Sequence, residues 1–424
     1  MNLLAELQQK DTKGYFTRTE QLISYPTMFH TLDYRNGYML KAYDDNDNLI
    51  KEQASVGIVG GTFNTSIGKP GAGKTAAFIQ MGMNIVLPYE HSFVIHCDAE
   101  GAITESRVKA ITGVSNSVLN QKYVLKQDTV FIEDIFDFIL KIAQMKLAGG
   151  DKFKHDTGYL NIYGQPIRSY QPTVVIIDSI PSLELRDNDN LDESTIDKIM
   201  GGKSKKEQVN EMAGDTNVTR KAKKLAQFYR HLGPVIKKAN IIIMAINHIN
   251  EKIEINPFAK TQAQTMYLKM NESLPGGNAP IYYANNIFKF TTSEKYKMED
   301  DGFDGFLSKC EMIKSRTNKA GQVVPLVYNQ ELGFDPVLSL LHYAEKEAGV
   351  VEGRNPYRYF KGYDDIKFDA RKFRDLFYTN EALQNALFDS TIPKLEQLLS
   401  RGLESEVVHD QFDIMGRVYK SLAA

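Results

Sequence analysis

The octet Gly68-Lys69-Pro70-Gly71-Ala72-Gly73-Lys74-Thr75 constrains this chain more than any other feature in it. Its spacing is G-x-x-x-x-G-K-T. The glycines let the backbone curl until several N–H groups converge on one anion. Lys74 adds a charge for the β- and γ-phosphates of a nucleotide, and the Thr75 hydroxyl is a ligand for Mg²⁺. Such a loop needs a strand entering it and a helix leaving it. Residues 62–67 read as the strand, and 75–87 (TAAFIQMGMNIVL) as an apolar helix with Ala76, Ile79 and Gly82 at helical spacing. A nucleoside triphosphate and Mg²⁺ are therefore the expected ligands.

Apolar runs alternate with helical patterns from about residue 51 to 332. Candidate strands are 92–97, 173–177, 240–246, 286–291, 306–313 and 322–328, with helices at 131–146 and 219–238 between them. That rhythm predicts an α/β core with a mostly parallel central sheet. Residues 1–50 form a polar, aromatic-bearing lead segment in which Leu3, Leu4 and Leu7 share one helical face, suited to a packed terminus or to a subunit contact. Asp335-Pro336 reads as an N-cap followed by proline at the first helical position, opening a small, mainly helical module over 333–424.

Composition excludes several classes. With 42% hydrophobic and 25% charged residues, wholesale disorder is not expected, and a net charge of −2 carries no global nucleic-acid signature. Cys97 and Cys310 alone cannot make a zinc site and fit a reducing interior. No apolar run nears the length of a membrane span, and the N-terminus lacks a secretory pattern. A cytoplasmic location with no membrane partner is expected.

Carboxylates follow two of the strands. Asp178 closes Val174-Val175-Ile176-Ile177-Asp178, at the strand edge where ligands sit in open α/β sheets, and is a candidate to hold Mg²⁺ through water. Residues 92–97 run into Asp98-Ala99-Glu100, where a carboxylate could deprotonate the water that attacks a γ-phosphate. Taken alone, Glu100 reads as a solvated acid or a helix cap; its weight comes from neighbouring strands that would bring it beside Lys74. The third strand ends in Asn247-His248, a polar pair suited to sensing the γ-phosphate, or a satisfied structural histidine.

In order, these motifs are a phosphate loop, strand–Asp-Ala-Glu, strand–Asp-Ser (Asp178-Ser179), strand–Asn-His, then Gly276-Gly277-Asn278 followed by Tyr283-Ala284 and a strand. The series resembles RecA-type strand-exchange recombinases, most of all the phage UvsX branch, over about residues 60–345. The Asn-His pair and Lys314-Ser315-Arg316 on a late strand carry the UvsX likeness. The resemblance implies a RecA-like P-loop ATPase core with ATP and Mg²⁺ as cofactors. Gly68, Lys69, Pro70, Gly71, Ala72, Gly73, Lys74 and Thr75 would cradle phosphate, with Thr75 and Asp178 on Mg²⁺. Glu100 would be the catalytic carboxylate and His248 the γ-phosphate sensor. Lys314 and Arg316 would reach the ATP of an adjacent subunit. Thr104 and Arg107 fall where the family contacts adenine, Arg107 standing in place of a usual tyrosine.

Two irregular stretches match the family's DNA-contacting loops. The first, 184–217, separates charge: residues 184–197 carry six acids against one arginine, and 203–224 carry seven bases against three acids. Lys203, Lys205, Lys206, Arg220, Lys221 and Lys223 are candidates to approach phosphates, against the alternative of a solvated basic helix. The second, 248–277, interleaves Lys252, Lys260 and Lys269 with Phe258 and Tyr267, a pattern suited to a single strand, and Gly276-Gly277 would turn the chain back. The implied activity is ATP-dependent pairing and strand exchange between single-stranded DNA and homologous double-stranded DNA, in a homo-oligomeric helical filament. A single-strand-binding protein and a loading mediator are compatible accessory partners. A hexameric helicase on the same fold and a non-catalytic single-stranded-DNA-binding paralogue are the rival readings.

Overall fold

Runs of β-branched residues make the centre of the molecule. The computed structural model describes residues 22–127, 130–186, 199, 217–251, 268–269, 271–298 and 303–402. Nine strands form one sheet: β1 (Phe63–Gly68), β2 (Val94–Asp98), β3 (Tyr123–Lys126), β4 (Thr173–Asp178), β5 (Ile241–Ile246), β6 (Asn286–Met298), β7 (Phe303–Ser315), β8 (Gln322–Asn329) and β9 (Gly333–Phe334). Their spatial order is β9-β8-β7-β6-β1-β5-β4-β2-β3. The six strands from β6 to β3 pair in parallel, while β6 to β9 pair antiparallel. β4 and β5 are buried along their whole length, which is why Val174-Val175-Ile176-Ile177 and Ile241–Ile246 are continuously apolar rather than alternating.

The two faces separate by the period of two inherent in a strand. Val94, Val174, Ile176, Ile242 and Met244 pack with α1 (Lys74–Val86). Val175, Ile177, Ile243 and Ala245 face α3 (Ile132–Gly149) and α4 (Asn217–Ala239), through Ile135, Phe136, Phe228 and Leu232. Fully burying one such aliphatic side chain stabilises by roughly 1.5–3 kcal/mol. α1 is buried on nearly every side, and apart from Lys74 and Gln80 its buried residues are apolar. α2 (Glu105–Thr112) follows β2, with Thr104 as its N-cap accepting from Arg107 N.

The lead segment is not set apart over its described part. Tyr25, Phe29, Leu32 and Leu40 belong to the same buried cluster as α1, and the boundary expected at residue 50 falls inside the strand Leu49–Ser55, which pairs with Tyr38–Tyr43. At the other end Asp335 accepts from Leu338 N at 2.9 Å and Pro336 opens α5 (Pro336–Lys346). Val337, Leu340, Phe360, Phe368, Phe373 and Leu387 give the C-terminal module a core of its own, and a hairpin of Val351–Arg354 with Tyr357–Phe360 joins its helices. Among the described residues no helix is long and apolar enough to cross a membrane.

Register decides which sequence motifs share an edge. Asn286 lies opposite Asn64 and Phe290 opposite Gly68, so the 68–75 loop leaves from the carboxyl edge of the parallel strands. β7 runs the other way: Lys314 sits opposite Ile287, and Ile287 opposite Thr65.

Candidate active site

The strand-to-helix loop carries a backbone only glycine accepts at its entry. Gly68 has φ +150, and a Cβ there would lie 2.3 Å from Phe290 O on β6. At the far end Gly73 is the N-cap of α1, and no side chain caps the helix. The first-turn N–H groups of α1 therefore have no intrahelical acceptor, which is the arrangement that favours an anion. Lys74 is 6% exposed and its Nζ donates to Gly68 O at 2.9 Å and Lys69 O at 3.0 Å. Burial pulls its pKa below the usual lysine range, opposed by the charges of Asp178 and Glu100. A cavity of about 180 Å³ opens beside the loop, lined by Gly71, Lys74, Thr75, Ile103, Arg107 and Tyr328. Arg107 thus shares the loop's cavity, its guanidinium donating to Glu331 O. Thr104 sits at the exposed start of the same helix.

Two oxygen ligands of the kind a hard cation takes are brought together beneath the loop. Thr75 Oγ1 donates to Asp178 Oδ2 at 2.7 Å, and Asp178 is 4% exposed. A hydroxyl and one carboxylate suit Mg²⁺, which keeps several waters and takes further oxygens from phosphate. Among the described residues no cluster of three or more His, Cys, Asp or Glu side chains is placed to hold a metal. The donor set therefore fits a cation shared with a phosphate ligand.

Beside this pair is a second constellation. Glu100 Oε1 accepts from Ser179 Oγ at 2.5 Å and lies 3.0 Å from His248 Nε2 and 3.5 Å from Ser182 Oγ. Glu100 comes from the turn after β2, Ser179 from the end of β4 and His248 from the end of β5, and the three meet because β2, β4 and β5 are successive neighbours in the sheet. Partial burial raises the Glu100 pKa, but hydrogen bonds from Ser179 and His248, with the charges of His248 and Lys74, hold it below the ordinary carboxylate range. Asp98 shapes the turn: its carboxylate accepts from Glu100 N, Ile103 N and Gln127 Nε2.

Asn247 ties this edge to the residues that follow. It is 0% exposed; its N–H donates to Ser66 O, its Oδ1 accepts from His248 N at 2.9 Å, and its Nδ2 donates to Pro275 O at 2.9 Å. Gly276, at φ +91, then packs against Ile180 and Leu225, where a Cβ would come within 3.1 Å of each. Gly277 lies over Ala222. The glycine pair is thereby seated on α4, which also carries Arg220 and Lys221. Lys221 Nζ donates to Pro181 O at 2.6 Å, and burial lowers its pKa, against the charge of Glu184. Lys203, Lys205, Lys206, Lys252 and Lys260 lie outside the described residues, as does most of both loops.

Lys314 and Arg316 are not joined to the 68–75 loop within one chain. Both reach the end of the helix Ala279–Tyr283: Lys314 Nζ donates to Ile281 O and Tyr282 O, and Arg316 to Tyr282 O at 2.6 Å. By the register above they stand at the amino edge of the parallel strands, opposite to Gly68. Burial and the neighbouring Arg316 push the Lys314 pKa down to about 8.

Sequence reasoning passed over Ser179 and Ser182 as donors to Glu100, and over His96. The signal for His96 was available: one imidazole interrupting the apolar run of β2, where a polar side chain must find a buried partner. No protein-family model matches this chain, and no curated protein matches it.

Proposed function

We propose that this chain is an ATP-dependent DNA strand-exchange recombinase of the RecA type, closest to the UvsX branch, acting as a helical filament on single-stranded DNA. The observation that carries this reading is the meeting of Glu100, Ser179 and His248 at one sheet edge, one residue away from Asn247 and its bond to Pro275. It supports a site in which nucleotide chemistry and the glycine pair before β6 are mechanically linked.

In this reading the 68–75 loop and the N-terminus of α1 bind the triphosphate, and Lys74 leaves its loop carbonyls for phosphate oxygens. Thr75 and Asp178 hold the Mg²⁺, which supplies charge neutralisation on the phosphates when bound. Glu100, kept ionised by its partners, accepts the proton of the attacking water. His248, freed from or held to Glu100, biases Asn247 and the 275–277 segment, so nucleotide state and DNA affinity rise together. Lys314 and Arg316, at the opposite edge, would exchange their carbonyl partners on the Ala279–Tyr283 helix for the nucleotide of a neighbouring copy in a head-to-tail assembly.

The test is strand exchange between homologous single- and double-stranded DNA with ATP, together with DNA-stimulated ATP hydrolysis and electron microscopy of the assemblies. Filaments that exchange strands are expected. Closed rings that unwind duplexes would replace the reading with a helicase, and DNA binding without hydrolysis with a non-catalytic paralogue.

A further inference from the structure

His96 lies mid-strand on β2, opposite Ile176 of β4 and Leu125 of β3, and is 0% exposed. Its Nδ1 is 2.7 Å from Tyr123 Oη. Its Nε2 has no hydrogen-bond partner and stands 3.7 Å from Asp178 Oδ2, the oxygen that accepts from Thr75. A buried polar nitrogen left unpaired costs free energy, so its place beside a buried carboxylate calls for an explanation.

The neighbours favour one tautomer. Burial first, then the charges of Asp178 and Asp98, raise the Tyr123 hydroxyl far above the ordinary tyrosine range, so it keeps its proton. With Oη–H donating to Nδ1 across 2.7 Å, the imidazole hydrogen falls on Nε2 and faces the carboxylate. The other tautomer would aim a lone pair at the Asp178 carboxylate.

We propose that His96, locked as the Nε2–H tautomer by Tyr123, is a positioning residue for Asp178. Nε2–H would give Oδ2, the oxygen that already accepts from Thr75, a second donor, and so fix the rotation of the carboxylate while leaving Oδ1 to the cation. A side-chain shift of about 0.7 Å brings the 3.7 Å contact to hydrogen-bond length. The inference rests on the reading of Thr75 and Asp178 as the Mg²⁺ pair, and adds to it a reason why β3 carries a tyrosine at the far side of β2.

Nitrogen NMR of the ligand-free protein labelled with [¹⁵N]histidine reads the tautomer directly, the His96 signals being assigned by His96→Gln and by their response to Tyr123→Phe. An unprotonated Nδ1 and a protonated Nε2 are expected, with Tyr123→Phe giving a mixture of tautomers. A hydrogen on Nδ1 in the unaltered protein overturns the proposal without a variant having to fold. The second measurement is binding of a fluorescent non-hydrolysable ATP analogue as Mg²⁺ is varied. Tyr123→Phe and His96→Gln should raise the half-saturating Mg²⁺ concentration at least ten-fold. An equal loss of affinity with and without Mg²⁺ marks a general structural role and overturns it. The tautomer measurement uses neither nucleotide nor DNA, so failure of the recombinase reading leaves it standing.

Discussion

Replacing Glu100 by Gln tests the site most directly, because the change removes charge and basicity while keeping shape. The amide oxygen can still accept from Ser179 Oγ and face His248 Nε2, which now stand 2.5 and 3.0 Å from the carboxylate. Two charge-assisted hydrogen bonds become neutral ones, a local cost of about 1–2 kcal/mol at a site this exposed. The kinetic effect is larger. On the proposed role of Glu100 as general base, its loss removes about 10²–10⁴-fold in rate, or about 3–5 kcal/mol of barrier lowering. The partners of Glu100 hold its pKa below the ordinary carboxylate range. It is therefore ionised throughout the neutral range, and wild-type hydrolysis should show no inflexion from it between about pH 6 and 8. The assay is single-turnover ATP hydrolysis with saturating single-stranded DNA, alongside DNA affinity with ATP present. A hundred-fold or greater fall in hydrolysis with ATP-stabilised DNA binding retained is expected. Hydrolysis at the wild-type rate would refute the general-base assignment, and loss of DNA binding in parallel would refute the separation of chemistry from grip.

Three further perturbations address neighbouring parts. Lys74→Ala removes the ammonium that now caps Gly68 O and Lys69 O, and should abolish nucleotide binding and ATP-dependent filament formation, read by nucleotide titration and electron microscopy; tight nucleotide binding by the variant would count against the loop assignment. Asn247→Ala strands Pro275 O and His248 N, and should cut the ATP-dependent gain in single-stranded-DNA affinity more than ten-fold; an equal loss of affinity in both nucleotide states would show that the link transmits nothing. Asp33 is buried beside Thr27, whose N–H and hydroxyl both donate to it, and burial pushes its pKa up to about 7. The pKa is raised on folding, so the stabilising contribution is complete below about pH 4 and is lost as pH rises through 7, by up to about 4 kcal/mol. Urea unfolding should show wild-type stability falling relative to Asp33→Asn over that window, and a difference that does not change with pH would contradict it.

The local backbone structure around several motifs was legible from the sequence. Composition of the 68–75 octet, the unbroken apolar runs of β4 and β5, the Asp335-Pro336 helix start and the carboxylate after Val174–Ile177 each depend on a few consecutive residues, and each is found where the pattern places it. What was not legible was short or polar. β3 is four residues long, and the hairpin of Lys154–Leu160 with Pro166–Tyr170 and the strand Leu49–Ser55 that pairs with Tyr38–Tyr43 lack the alternation that marks a half-buried strand.

Tertiary structure alone decided who meets whom. Insertion of β5 between β1 and β4 brings His248 to Glu100 across 148 positions of sequence, and the pairing of β2 with β3 sets Tyr123 on His96. The antiparallel turn of β7 sends Lys314 and Arg316 to the edge opposite Gly68. Periodicity and turn chemistry act over a handful of residues and so are written into the sequence directly. Strand order and register arise from burial competing over the whole chain, and only the finished packing expresses them.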